Sequence, residues 1–347
     1  MKTLNRSKMR ILATAGLTTA VAASMWAGAV LAAEDNGGAV DPESVLHKNW
    51  SDLMARTPTP DEGCFHASYP NVVWENVDCK TGPGRAHPVR AKAADDKEEV
   101  VGNGNDYVAQ AKGLITLASG GFSIKGVTSE TGVGVAGFHD AGILGPNEYS
   151  LQINTNAKET TSACAGHSGC TVWQQFVYSP NYNTPGEAAV LMQYWLIGWG
   201  SSSCPKGGWW KSGSDCVKNS AYVPAPDVPI TDLGKIGLMA TASAGGNDQV
   251  TFSDGSDSYS ITGKDSVLDI SSVWNKAEFN VVGNAGGSRA DFNKGSSVTV
   301  TLVLFDGSTS APKCVADDGT TGETNNLNLG TCTAYGGIPN IQFTESN

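Results

Sequence analysis

Ala277-Glu278-Phe279-Asn280-Val281-Val282 is the stretch on which the reading of this chain turns. Apolar and β-prone residues dominate it. Strand alternation sets Ala277, Phe279 and Val281 on one face and Glu278, Asn280 and Val282 on the other. Strands disfavour Glu, yet a strand is the rigid mounting that a catalytic acid or base needs. Far upstream, Gln174 and Gln175 interrupt a second apolar run, Cys170-Thr-Val-Trp-Gln-Gln-Phe-Val-Tyr178. A Glu and a Gln facing each other across one sheet would form a reaction centre; the bland reading makes them two solvated residues. If the centre is real, Glu278 and one of the two glutamines are expected on adjacent strands, pointing into one groove.

Segments of the same kind recur from Gly102 onward, with Gly, Asn and Asp turns between them. They are Asp106–Ser119, Gly121–Val127, Glu148–Asn154, Cys170–Tyr178, Ala188–Trp199, Ile236–Ser243, Asp248–Ser253, Ser258–Thr262, Lys276–Val282 and Ser297–Phe305, with Ile338–Thr344 near the end. Short strands at this spacing predict an all-β fold, an antiparallel β-sandwich. The 42 Gly and only 16% charged residues agree. One short helix is expected, within Pro42 to Met54.

The first residues read as a secretory signal. Lys2, Arg6, Lys8 and Arg10 precede an apolar stretch from Ile11 to Leu31, and Val30-Leu31-Ala32 fits a small-residue cleavage site. The expected organisation is a signal peptide at 1–32, an N-terminal segment at 33–100 and a β-sandwich domain at 101–347. The charged run Arg90 to Glu99 reads as a solvated linker, or as a processing site that frees 33–100 as a pro-region. Removing 1–32 takes away four basic and no acidic residues, so the formal charge moves from −11 to −15. Such a chain repels nucleic acid and anionic membranes, and neither is expected as a partner. Export to the extracellular space or a periplasm is expected, as a monomer.

Eight cysteines, an even number, follow the signal, which implies disulfides in an oxidising compartment. Their grouping pairs Cys64 with Cys79, Cys164 with Cys170, Cys204 with Cys216 and Cys314 with Cys332. No C-x-x-C and no His spacing marks a metal site, and no cofactor is expected. Gly132-Val-Gly-Val-Ala-Gly137 matches a dinucleotide pattern without the βαβ setting it needs, and reads as a loop. There is no G-x-S-x-G elbow, no H-E-x-x-H and no E-x-D-x-x-E glucanase strand.

Several segments, in one order, resemble the glutamic peptidases of the fungal, eqolisin type. Gly102-Asn-Gly-Asn-Asp-Tyr-Val108 stands where that family has S-N-W-G-G, and Tyr149-Ser-Leu-Gln-Ile-Asn154 is similar to its W-V-G-I-D strand. Cys170 to Tyr178 resembles the strand carrying A-I-L-Q-T-G-V, and Val190-Leu-Met-Gln-Tyr-Trp-Leu196 resembles A-W-Y-E-W-Y-P. Lys276-Ala-Glu-Phe-Asn-Val-Val282 resembles N-A-E-W-I-V-E, followed by Asp291-Phe292 and the strand from Ser297. The likeness spans roughly residues 102–305, and its collinearity carries it.

The resemblance implies a secreted acid endopeptidase on a lectin-like sandwich, with Glu278 as catalytic acid/base and Gln174 as its amide partner. Gln175 is the alternative, because a one-residue slip swaps which glutamine faces the groove. Asn154, Gln193, Trp195 and Tyr149 would meet a polypeptide substrate, with Trp173 and Trp199 as further walls. Asn154 and Gln193 stand where the family has Asp and Glu, and Val282 or Gly283 where it has a second Glu. The rival reading is a non-catalytic, lectin-like module that binds glycans through Trp and Tyr on its loops, the adjacent Trp209 and Trp210 among them.

Overall fold

In the computed structural model of this protein, residues 42–82, 84, 86–87, 106–134, 144–316 and 321–347 are described. The chain separates into two units, Met1–Val40 and Asp41–Asn347. The expected signal peptide falls in the first and lies outside the described residues, as does the run Arg90 to Glu99. No helix of the described residues is long and apolar enough to cross a membrane.

Two antiparallel sheets face each other. The larger runs Asn328–Leu329, Asn340–Ser346, Ser297–Phe305, Leu117–Lys125, Gly237–Thr241, Asn247–Ser253, Asp257–Lys264, Cys64–Ser68 and Glu75–Val77, with Thr333–Tyr335 also paired to strand 340–346. The smaller runs Lys313–Ala316, Tyr107–Gln110, Lys276–Gly283, Tyr149–Thr155, Thr171–Thr184, Glu187–Ile197, Asp215–Pro226 and Trp210–Ser212. A small third sheet, Thr324–Asn325, Arg289–Phe292 and Glu130–Val133, adjoins them. The fold is therefore the all-β sandwich that the alternation implies.

The inner faces interlock through aromatic side chains, each of which removes enough apolar surface from water to contribute about 2 kcal/mol. Phe279 meets Phe122 of the opposite sheet at 4.8 Å between ring centroids, and Tyr178 stacks on Phe252 at 4.1 Å. Phe279 lies so close to strand 117–125 that a Cβ on Gly120 would fall 2.3 Å from its ring. The eight cysteines form four disulfides, Cys64–Cys79, Cys164–Cys170, Cys204–Cys216 and Cys314–Cys332, each closing a local loop.

The expected helix is present as Pro42–Arg56 and packs Trp50 and Met54 against Phe65 and Trp74. Strand Cys64–Ser68 pairs with Asp257–Lys264, so the described part of segment 33–100 is built onto the larger sheet. Two segments differ from the expectation. The single strand expected at Asp106–Ser119 is two strands in different sheets, 107–110 and 117–125. Gly132 and Val133 lie in strand Glu130–Val133, not in a loop.

Candidate active site

Strand pairing brings the polar residues of the smaller sheet into line. Glu278 stands opposite Asn154, Asn154 opposite Gln175, Gln175 opposite Gln193, and Gln193 opposite Asn219. Because side chains directly opposite in a sheet point the same way, these five form one row across five neighbouring strands. The row lies on the face turned away from the sandwich core, which the alternate residues Ala277, Phe279, Ile153, Phe176, Met192 and Tyr194 fill. In the next row Asn280 stands opposite Gln152. Glu278, Asn154, Gln175, Gln193 and Gln152 are all buried, at 2% exposure or less.

Hydrogen bonding gives this row a direction. An indole N–H can only donate. Trp195 Nε1 donates to Gln175 Oε1 at 2.9 Å and to Gln193 Oε1 at 3.0 Å, which fixes which end of each amide is oxygen. Gln175 Nε2 then donates to Gln152 Oε1 at 3.0 Å. Gln152 Nε2, left as donor, gives to His87 Nδ1 at 2.9 Å and to Ser150 Oγ at 3.0 Å. Nδ1 of His87 is thus an acceptor, and its ring proton belongs on Nε2. Asn154 Nδ2 donates to Glu278 Oε2 at 3.1 Å. Asn154 Oδ1, Trp173 Nε1 and His87 Nε2 are buried without a hydrogen-bond partner among the described residues.

Three further carboxyl groups gather here from distant parts of the chain. Asp106, just before strand 107–110, accepts from Asn280 Nδ2 at 3.1 Å, and the same amide donates to Glu345 Oε1 at 2.5 Å. Burial pushes the Asp106 carboxyl well above its ordinary range, and the charges of Glu278 and Glu345 and a hydrogen bond with Glu278 add to the shift. Burial pushes Glu345 up to about 7, against the opposing hydrogen bonds from Asn280 and Asn325. Glu323 is fully buried, 3.4 Å from His87 Nδ1, and accepts from Thr321 Oγ1 at 2.5 Å. Among the described residues no group of three or more His, Cys, Asp or Glu is arranged to hold a metal ion.

No family model and no curated protein matches the chain. Among solved structures it is similar to scytalido-glutamic peptidase with a transition state analog inhibitor. That similarity is at 11% identity and a TM-score of 0.31, covering 69% of this chain and 95% of that one. It is also similar to SCP-B, a member of the eqolisin family of peptidases, in a complex with the tripeptide Ala-Ile-His. Here identity is 10% and the TM-score 0.31, over 70% of this chain and 96% of that one.

The expected site residues divide between the two faces. Glu278, Asn154, Gln175, Gln193 and Trp195 come together on the outer face. Gln174 does not: its side chain enters the sandwich interior and donates to Asp248 Oδ2 of the larger sheet at 2.8 Å. The reason is phase, since pairing Asn154 with Gln175 sends the preceding residue to the other face. Tyr149 is likewise interior, its hydroxyl donating to Val228 O at 2.7 Å. Nor do Glu278 and Gln175 sit on adjacent strands, because strand 149–155 runs between them with Asn154 in the gap.

Trp173 joins Trp195 in an outer-face cluster with Val217 and Ala86, and Trp210 packs at its edge. Trp209 packs instead against the main core, so adjacent Trp residues serve opposite sides. Trp199 stacks on His167 at 3.3 Å between centroids. Sequence reasoning missed Asp106, Gln152, His87, Glu323 and Glu345. Only Asn280 carried a signal, as the second polar residue on Glu278's side of its strand.

Proposed function

We propose that this chain is a secreted acid endopeptidase of the glutamic type, in which Glu278 and Gln175 form the working pair. The observation that carries this reading is the buried row Glu278–Asn154–Gln175–Gln193, held in one hydrogen-bonding direction by Trp195. Two inter-strand spacings separate Glu278 from Gln175, roughly 10 Å between backbones, with Asn154 between them, and a water and a peptide carbonyl would sit over Asn154. Asn154 orients the Glu278 carboxylate through Oε2 and offers Oδ1 to that water.

Glu278 takes a proton from the water as its oxygen attacks the carbonyl carbon, and returns that proton to the amine as the C–N bond breaks. Gln175 uses one amide hydrogen on Gln152 and turns the other to the oxyanion that forms. Asp106, kept protonated by its burial, donates to Glu278 and holds it as an acceptor. The segment before residue 101 acts as a pro-region, and the substrate is polypeptide. A glycan-stacking site has less support, since Trp209 packs against the main core and Trp210 against the Trp173–Trp195 cluster.

The test is Glu278→Gln, which keeps size and removes the charge. Once the segment before residue 101 has been removed, the chain with Glu278 should digest denatured casein at about pH 3–4, and the variant freed of the same segment should lose roughly 10²–10⁴-fold while its thermal melt stays cooperative. Equal activity in the two ends the proposal.

A further inference from the structure

The outer face of the smaller sheet already holds a stretch of peptide. Lys80 pairs with Tyr222 through both backbone bonds, its N–H to Tyr222 O at 2.9 Å and Tyr222 N–H to Lys80 O at 2.8 Å. Its ammonium meets Glu187 at 2.5 Å. Gly82 then passes so close to Tyr182 that a Cβ there would fall 2.1 Å from the ring, and Gly84 lies beside Trp210. Ala86 packs among Trp173, Trp195 and Val217. Its carbonyl accepts from Gly286 N–H at 3.1 Å, and the next N–H, of His87, donates to Gln193 Oε1 at 2.7 Å. The His87 ring ends the run against Gln152 and Glu323.

These bonds are of the kind that grips a ligand strand. One backbone carbonyl and one backbone N–H are held from opposite sides, and two side chains enter separate subsites. A seam that merely completed a fold would satisfy its buried polar groups. Here Trp173 Nε1, beside Ala86, and Nε2 of His87 itself are buried with no partner among the described residues, as is Asn154 Oδ1 in the polar row.

We infer that the described residues of this run, Lys80–Gly82, Gly84, Ala86 and His87, occupy the substrate groove as a built-in peptide, and that Gln152 with Glu323 forms a subsite for a histidine side chain following a small residue. The inference rests on the peptidase reading for the word substrate and on geometry alone for the groove. Gln152 Nε2 aims a donor at the ring nitrogen, so an acceptor side chain fits and a carboxylate would face Glu323. The Trp173–Trp195–Val217 cluster closes around a methyl group and selects a small residue before it. Substrates of this class are extended peptides with Ala-His or a close analogue, and the groove opens to them only when its own segment leaves.

The test uses the full chain carrying Glu278→Gln, so that a peptide probe survives, with and without Gly82→Ala, which displaces the segment without altering the groove. Hydrogen exchange at the Lys80 and His87 amides reports release. The probe is the synthetic peptide Lys-Thr-Gly-Pro-Gly-Arg-Ala-His-Pro, titrated against tryptophan fluorescence. The parent should not bind it. The Gly82→Ala chain should exchange those amides faster and bind saturably, and the His→Ala peptide should bind about tenfold more weakly, the weight of one buried hydrogen bond.

His87→Glu, which sets a carboxylate against Glu323, is the second means of release. The inference is overturned if release brings no binding, if the two peptides bind equally, or if neither substitution frees the segment. Binding without casein hydrolysis by the Glu278 chain would keep the groove and remove the peptidase reading; hydrolysis without binding would do the reverse.

Discussion

Raising the pH from 4 to 7 should destabilise this fold, and Asp248 shows why. Its carboxyl is buried in the sandwich interior, with Gln174 donating to Oδ2 at 2.8 Å and Asp265 alongside. Burial pushes it up to about 8, partly offset by the Gln174 bond and reinforced by Asp265. Burial likewise pushes Glu130 up to about 8 and Glu345 to about 7, and holds Asp106 well above its ordinary range. In the unfolded chain all four ionise near pH 4.

Between about pH 4 and 7 the native state therefore keeps protons that the unfolded state has released, and unfolding free energy falls as pH rises. The stabilisation is complete below the unfolded value and is lost as pH climbs through the native one. Each such group contributes a slope of about 1.4 kcal/mol per pH unit. Glu187, held down by Lys80, shifts the other way, but that pair is exposed and weighs little. Even one or two groups acting at full slope would remove several kcal/mol from a total on the order of 5–15.

Urea midpoints by tryptophan fluorescence at pH 4, 5, 6 and 7 measure this directly. Wild type should weaken steadily, and Asp248→Asn should show a slope shallower by about one proton. Stability that is flat or rises across this range would refute the reasoning, as would an unchanged slope in the variant.

Other consequences are separable. Gln174→Leu should cost about 1–3 kcal/mol by leaving Asp248 without its donor, while specific activity on casein at pH 3–4 is retained per folded molecule. Gln175→Leu should lose activity at least 100-fold, the order seen for one oxyanion donor; if Gln174→Leu were the inactive one, the face assignment would be wrong. Gly120→Ala should lower the unfolding free energy, read from urea curves, by about 1–3 kcal/mol, because its Cβ meets the Phe279 ring at 2.3 Å. A variant as stable as wild type would show that Phe279 can move aside.

The faces of strand 276–283 were legible because its pattern has a phase, Ala-Phe-Val on one side and Glu-Asn on the other. Strand 171–184 has none. Val172, Trp173, Phe176, Val177 and Tyr178 are apolar on both sides, since the outer face is covered as thoroughly as the inner. A one-residue slip leaves such a pattern unchanged, so only the pairing of Asn154 with Gln175 could choose between the glutamines. Tyr149 was misplaced for the same reason, in a strand buried at every position. Strand 215–226 went unseen because Pro224 and Pro226 argue against one. Over those prolines it pairs with strand 187–197 alone, where a missing N–H on the open side breaks no ladder bond. Asp106 and Glu323 reach the site from outside the strands and Glu345 from strand 340–346 of the other sheet, and no local pattern marks them.

The composition of the outer face argues for use rather than for stability. Glu278, Asn154, Gln175, Gln193 and Gln152 lie buried across the middle of the sheet, with Asn219, Asn280 and Ser150 on the same face and the apolar clusters around Trp173–Trp195 and Tyr182–Tyr222 beside them. Well-packed apolar residues in their place would hold the fold at least as well, because buried polar groups contribute little net stability even when satisfied. What the polar row supplies is direction. One indole N–H orients two glutamine amides, and through them a third, so a donor and an acceptor stand at fixed places before anything binds. Groups aimed in advance need no reorganisation when charge develops, which is the property a hydrolytic centre requires and a packed seam does not. Ala86 and His87 sit over that row, and His87 bonds to two of the same glutamines. On the function proposed above, the groove that would read a peptide is the one its own chain now fills, and freeing it would be the step on which both binding and chemistry depend.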